Sequence, residues 1–330
     1  MKVEFLHHYH QSHNRSFRDH LLSSLPKYAP VLSRFSPIVN TVGSSLLGRT
    51  FADKILGLSA KRSLPIWHRA SRQKQDVCVG SGDLGDVVLF ADTFNRYFEP
   101  DNLSAAIEVL TAAGFKVHQP VAADGEARPL CCGRTYLSTG MVDKARAEAN
   151  RTIKAFKPYL QKKIPILGLE PSCLFTFKDE FLSLIDDDVA PVLAKSAMLL
   201  EEFLAGDGLQ GFSRLKFQRT QGRVAWVHGH CHQKAFNSMD AVEQMLQRVP
   251  DLTTKMIPSG CCGMAGAFGY QSETYDASIG MAQLDLVPAL AAVDHDDWLL
   301  ADGFSCRHQI SDVTGKSPRH VAQFLARSLQ

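Results

Sequence analysis

The sequence predicts an α/β fold: two tandem repeated α/β units with mostly parallel sheets, preceded by a helical basic leader. Three observations carry this expectation. From residue 86 onward, short apolar runs alternate with segments of helical period, the pattern of strand–helix–strand units. The triplet Cys131-Cys132-Gly133 returns as Cys261-Cys262-Gly263 at an offset of 130, and Ser172-Cys173 returns as Ser305-Cys306 at an offset of 133. Residues 1–75 hold twelve Lys/Arg against three Asp/Glu, a net of +9, whereas the remainder holds 24 against 31, a net of −7.

Composition bounds the class. The chain has 330 residues, 45% hydrophobic and 21% charged, the balance of a globular protein with a sizeable core. No run reaches the roughly 18 apolar residues of a membrane span, and the N-terminus lacks the order of a secretory signal. Eight cysteines with two adjacent pairs do not resemble a secreted disulfide framework and fit metal or redox use in a reducing compartment, so the expected location is cytoplasmic. The charge asymmetry fits a leader that docks an acidic partner or the cytoplasmic membrane face, and equally a solvated helical lead-in. The expected organisation is a leader and linker over 1–85, a first Cys-Cys-Gly repeat over 86–215 and a second over 216–330.

Taken in order, residues 1–25 read as a polar helix whose five histidines share no face with a carboxylate partner. Pro26, Pro30 and Pro37 cut the next stretch into short pieces, and 38–58 reads as an amphipathic helix pair. Residues 59–86, basic and then Gly-rich, read as a linker containing an incidental Cys78. In the first unit, Val87–Phe90, Phe115–His118 and Ile164–Leu169 are strand candidates, and helices are expected at 103–113, 142–157 and 189–205. In the second, strands are expected at Val224–Val227, Thr254–Ile257 and Trp298–Ala301, with helices at 239–248, 272–293 and 318–328. Open α/β sheets form sites beyond the carboxyl ends of their strands, so the cysteines that follow strands can converge.

The second unit offers Cys231, Cys261, Cys262 and Cys306 as metal ligands. Four thiolates suffice for a [4Fe–4S] cluster or a tetrahedral zinc, and the Cys-x-x-Cys knuckles of a zinc ribbon are absent. Adjacent cysteines flanked by glycine place two soft donors on bendable backbone. His228, His230, His232 and His308 crowd the same loops, with His230 and His308 the candidates for hydrogen bonding to the centre or moving a proton beside it. Arg307 reads either as a counter-charge or as a surface arginine. The first unit offers Cys131, Cys132 and Cys173, weaker candidates because Asp92-Thr93-Phe94-Asn95 supplies no fourth cysteine. Asp92 is then a possible substitute donor, and Asn95 and Arg134 candidate polar contacts. Gly80-Ser81-Gly82-Asp83-Leu84-Gly85 precedes a strand instead of following one, so it is no dinucleotide fingerprint. Aromatics are not interleaved with basic residues as nucleic-acid binding requires.

The Cys-Cys-Gly unit resembles the cysteine-rich domain found in the B subunit of heterodisulfide reductases, shared with the C subunit of anaerobic glycerol-3-phosphate dehydrogenase and with lactate-utilisation iron–sulfur proteins. Longer phrases, among them Gly168-Leu169-Glu170-Pro171-Ser172-Cys173, His228-Gly229-His230-Cys231-His232-Gln233-Lys234 and Ala301-Asp302-Gly303-Phe304-Ser305-Cys306-Arg307-His308, resemble the C-terminal third of bacterial FAD-linked oxidases of the glycolate oxidase, D-lactate and D-2-hydroxyglutarate dehydrogenase type. This resemblance covers about 86–328, and the leader is similar to the segment after the ferredoxin module of those proteins. It implies an iron–sulfur electron-transfer module fed by a flavin on a partner chain or missing domain, and passing electrons toward a quinone or other acceptor. The alternatives are a heterodisulfide, thiol or quinone reductase-type catalytic subunit and a structural zinc module. Neither a flavin domain nor a Cys-x-x-Cys-x-x-Cys ferredoxin run is in this chain, so oxidation of a hydroxy acid by this chain alone is not expected. Gln309 and Thr176 stand where the heterodisulfide reductase pattern ends in a further cysteine, which favours a simpler cluster or zinc.

Overall fold

The apolar runs form parallel strands because they are covered on both faces. Val87, Val88 and Leu89 are all fully buried, which only a sheet with helices on both sides allows. The computed structural model describes residues 1–70, 75–122, 124–126, 128–220 and 222–330, and among them eight strands make two sheets. The first contains β1 (Val77–Val79), β2 (Asp86–Leu89), β3 (Lys116–Gln119), β4 (Ile166–Gly168) and β5 (Ala197–Leu199), in the order β1-β3-β2-β4-β5. The second contains β6 (Val224–His228), β7 (Thr253–Met256) and β8 (Trp298–Ala301), in the order β7-β6-β8. Every pairing is parallel except that of β1, which lies antiparallel on β3.

The repeat read from the cysteines is a repeat of topology. The order β3-β2-β4 matches β7-β6-β8 strand for strand. Beyond β4 comes β5 and then the helix Leu200–Ala205; beyond β8, Leu300 bridges Arg319 in parallel and the helix Val321–Ser328 follows. These last helices are exchanged. Val321–Ser328 packs on Pro100–Ala112 of the first repeat, and Leu200–Ala205 packs on Met239–Leu246 of the second. One apolar core therefore runs through both, with Leu89, Leu110, Phe203, Val227, Met245 and Phe324 among its members. Each such side chain contributes about 1.5–3 kcal/mol by leaving water.

Several elements differ from the sequence expectation, each for a local reason. The helix expected at 1–25 is two, Lys2–Ser12 and Phe17–Ser23, because the Ser16 hydroxyl caps a new start by accepting from the Asp19 N–H. The expected helix at 189–205 is interrupted by β5: Ala197-Met198-Leu199 pairs with β4, and a short apolar run fits strand and helix periods equally. The long helix expected at 272–293 breaks at Asp285 into Tyr275–Leu284 and Leu286–Leu290. The helix Phe304–Thr314, which was not expected, carries Cys306.

The segment expected to be a linker is docked. Val77–Val79 is an edge strand and Cys78 sits on it, exposed. Leu58 bridges Gln271, and the Ser59 N–H donates to the Tyr270 carbonyl. Arg62 is fully buried, with its guanidinium bonded to the Gly269 carbonyl, Gln309, Asp312 and Ser278. Residues 71–74 of the expected linker lie outside the described residues. Among the described residues, no helix is long and apolar enough to cross a membrane.

Candidate metal centre

Each repeat delivers its cysteines in the same way. A strand ends, a capped helix begins, and a cysteine sits in the first turn. Cys173 is the third residue of Pro171–Lys178, Cys306 the third of Phe304–Thr314, and Cys231 the first of Cys231–Ala235. The positive end of a helix favours thiolate over thiol. The Cys-Cys-Gly loops add the remaining pairs. Gly263 has φ +90°, and a Cβ there would meet the Ser278 carbonyl at 2.3 Å, so the loop folds only with glycine. The Gly263 N–H points back at the Cys261 sulfur, 3.3 Å away, as the Gly133 N–H points at Cys131, 3.4 Å away.

In the second repeat the four sulfurs form a continuous row. Cys231 meets Cys261, Cys261 meets Cys262, and Cys262 lies 3.5 Å from Cys306, which sits beside the His228 ring. The four are thus brought together as the sequence expected. The sharing of protons pushes them apart in acidity. Contact with Cys262 holds the Cys306 thiol well below its ordinary range, and contacts with Cys231 and Cys262 lower Cys261. Cys231 is raised by its contact with Cys261, and Cys262 by its contacts with Cys261 and Cys306. Three of the four are covered to some degree, whereas Cys231 is exposed and forms the open edge of the row.

The histidines divide sharply. His230 caps the Cys231 helix: its Nδ1 accepts the His232 N–H, and burial lowers its pKa. Gly303 lies so close that a Cβ there would meet the His230 ring at 2.3 Å. His232 stacks on His230, and burial beside His230 and Arg134 lowers its pKa to about 4, leaving it neutral to accept from Arg134 at 3.0 Å. His308 bonds to Ser63 of the leader and packs against Tyr270. The contacts of this second histidine candidate therefore tie the leader to the Cys306 helix. Arg307 is not a surface residue: at 4% exposure it pairs with Glu99 and donates to the Ala301 carbonyl.

His228, one of the four histidines of these loops, lies against the sulfurs. Its ring nitrogen and the sulfurs of Cys262 and Cys306 all lie within 4.8 Å of one another, and all three residues are buried. The corresponding position in the first repeat is Phe90.

The first repeat gathers Cys131, Cys132 and Cys173, all at most 3% exposed. The place of Cys231 is taken by Thr93, whose buried hydroxyl has no hydrogen-bond partner. Asp92 does not replace the missing donor. Its Oδ1 accepts from the Phe94 and Asn95 N–H groups and its Oδ2 from the Asn95 side chain, so it is a helix cap. Arg134 pairs with Glu180 of the same repeat and reaches His232 of the second. All three thiols are raised: Cys131 by its contact with Cys132, Cys173 to about 12 because burial outweighs the lowering contact with Cys132, and Cys132 because contact with Cys173 and burial outweigh that with Cys131. Glu170 links the two repeats. It caps the Cys173 helix through Ser172 and accepts the Phe304 N–H of the Cys306 helix at 2.7 Å, and burial raises its carboxyl to about 8.

The second set fits a thiophilic metal or cluster. Its donors are sulfurs with one imidazole, a His228 nitrogen is buried without a partner, and 3.5 Å between two sulfurs is near the edge of a tetrahedron built on bonds of about 2.3 Å.

Cys-Cys-Gly loops stand at the strand ends of a parallel α/β scaffold, and residues 91–178 match the family described as a cysteine-rich domain. The chain resembles the C-terminal region of FAD-linked oxidases. It is 24% identical to the D-2-hydroxyglutarate dehydrogenase of Escherichia coli (strain K12), over 98% of this chain and 32% of that protein. It is 26% identical to the C subunit of anaerobic glycerol-3-phosphate dehydrogenase from the same organism, over 95% of this chain and 78% of that protein. Lactate utilization protein A of Macrococcus caseolyticus (strain JCSC5402) is 24% identical over 67% of this chain and 85% of its own length. The chain spans about a third of the length of the D-2-hydroxyglutarate dehydrogenases it matches.

Proposed function

We propose that this chain is an iron–sulfur electron-transfer module of an FAD-linked 2-hydroxy acid dehydrogenase of the D-lactate, glycolate or D-2-hydroxyglutarate type. The observation that carries the reading is the continuous row of Cys231, Cys261, Cys262 and Cys306 at converging strand and helix ends. A bound [4Fe–4S] cluster would supply one-electron transfer between a flavin and a quinone or other acceptor. The chain's own residues prepare the seat. Backbone N–H groups of the glycine-bearing loop face the sulfurs, buried His230 and half-buried His232 stand neutral beside them, and the exposed Cys231 edge is the approach for a redox partner. Anaerobic purification with iron and acid-labile sulfide analysis tests this; zinc without sulfide overturns the cluster and leaves the structural zinc module.

The flavin belongs on a partner or on another part of a longer chain. The leader supports a seat for it: Phe35, Ile38, Val42, Leu46, Leu47 and Phe51 are large, apolar and more than half exposed, beside Arg34, Arg49 and Lys54. Co-purification of a flavin-containing protein, lost on Leu46→Glu with Leu47→Glu, is the expected result. Adsorption to anionic vesicles without any flavoprotein association would instead place this face on the cytoplasmic membrane surface.

One observation favours a second reading. An exposed Cys231 beside lowered-pKa Cys261 is also what a thiol or quinone reductase site needs. In that case His230→Ala abolishes turnover while the centre still assembles.

A further inference from the structure

We infer that His228 is a ligand of the second-repeat centre, binding through Nε2 beside the sulfurs of Cys262 and Cys306; this rests on that centre holding a metal or cluster. His228 is the last residue of β6 and is 1% exposed. Its Nδ1 lies 2.9 Å from the Ser259 hydroxyl oxygen. The same hydroxyl lies 3.5 Å from the Ile257 carbonyl. With Nδ1 held at the Ser259 hydroxyl, Nε2 is the ring nitrogen left for a ligand. That Nε2 is buried with no oxygen or nitrogen partner, and the ring reaches the sulfurs of Cys262 and Cys306 within 4.8 Å, with Cys306 close enough to share a proton with it. A ligating histidine held by its other nitrogen is how proteins fix imidazole on a metal.

The first repeat is an internal control. The position of His228 is there Phe90, packed against Phe156 and Phe177, and the position of Ser259 is Pro129. Ligand and orienting residue are absent together. A histidine needed only for packing would not require a serine hydroxyl at its Nδ1.

The test uses the full chain, purified anaerobically and labelled with ¹⁵N-histidine. For an iron–sulfur centre, pulsed EPR of the reduced protein should show one strongly coupled histidine nitrogen, lost in His228→Cys while the cluster remains. The midpoint potential should fall in that variant, because imidazole in place of thiolate raises it. For zinc, X-ray absorption should show one imidazole that disappears in the same variant. Ser259→Ala, which keeps every donor, should weaken metal retention against a chelator by about 10–100-fold. An iron–sulfur-loaded wild-type centre with no histidine nitrogen, or a coupling that survives His228→Cys, overturns the assignment while the proposed function stands; a zinc-loaded centre without an imidazole overturns both. A wild-type chain holding neither iron nor zinc overturns both.

Discussion

At the first repeat, three thiols are sealed in apolar surroundings, all held less acidic than an ordinary thiol, with a threonine where a fourth donor would stand. At the second, four sulfurs and an imidazole share protons, two sulfurs are shifted toward thiolate, and one edge meets solvent. The backbone is the same in both: strand, capped helix, positive-φ glycine after the paired cysteines. Among the side chains that differ are Thr93 for Cys231, Phe90 for His228, Asp92 for His230 and Pro129 for Ser259. Scaffold and chemistry are therefore separable, and the donor set rather than the fold decides which copy is the centre.

The comparison breaks most readily at the third cysteine of each copy. Cys306→Ser should strip nearly all bound metal, whereas Cys173→Ser should leave metal per chain almost unchanged; a large loss on Cys173→Ser would make the copies equivalent. Phe324→Ala, in the core the repeats share, should cost about 3–5 kcal/mol, and both repeats should unfold in one transition by calorimetry. Two resolved transitions would show that they fold apart. Thr93→Cys should complete the first set and raise metal content toward double, read by elemental analysis. No rise would mean that more than one donor is missing there.

The smallest effect concerns pH. Glu170 is raised from an ordinary 4.5 to about 8, so the folded chain prefers the protonated carboxyl. The stability it contributes is full below about pH 4.5 and is lost as pH rises through about 8, by up to ~1.4 kcal/mol per pH unit. Glu170→Gln should flatten the Tm profile between these values. An equal slope in both proteins would assign the titration to another group.

Much of this was legible in the residues. The α/β class and the parallel sheets followed from fully buried Val87-Val88-Leu89 and its counterparts, because a strand covered on both faces leaves an uninterrupted apolar run. The convergence of Cys231, Cys261, Cys262 and Cys306 followed from their place after strands. Other features were hidden by ambiguity of period or by long-range contacts. Ala197-Met198-Leu199 fits both helix and strand, and only pairing with β4 decides. Arg62 and Val77–Val79 looked like linker because their partners, Gln309, Asp312 and β3, are distant in sequence. His308 looked like a site residue from its neighbour Cys306, yet two residues along a helix turn a side chain to roughly the opposite face, here toward Ser63. His228 was harder to choose because four histidines sit in the same loops, and only Ser259 distinguishes it.

The exchange of last helices sets a lower limit on what can exist alone. Cut between Ser213 and Gly222, the first half would keep Leu200–Ala205 without Met239–Leu246 beneath it, and Pro100–Ala112 without Val321–Ser328 above it. The second half would be stripped in the same way. Each fragment would present a ready-made socket for the other, so the two expressed as separate polypeptides should reassemble. A solitary copy could satisfy its socket only by recruiting its own twin.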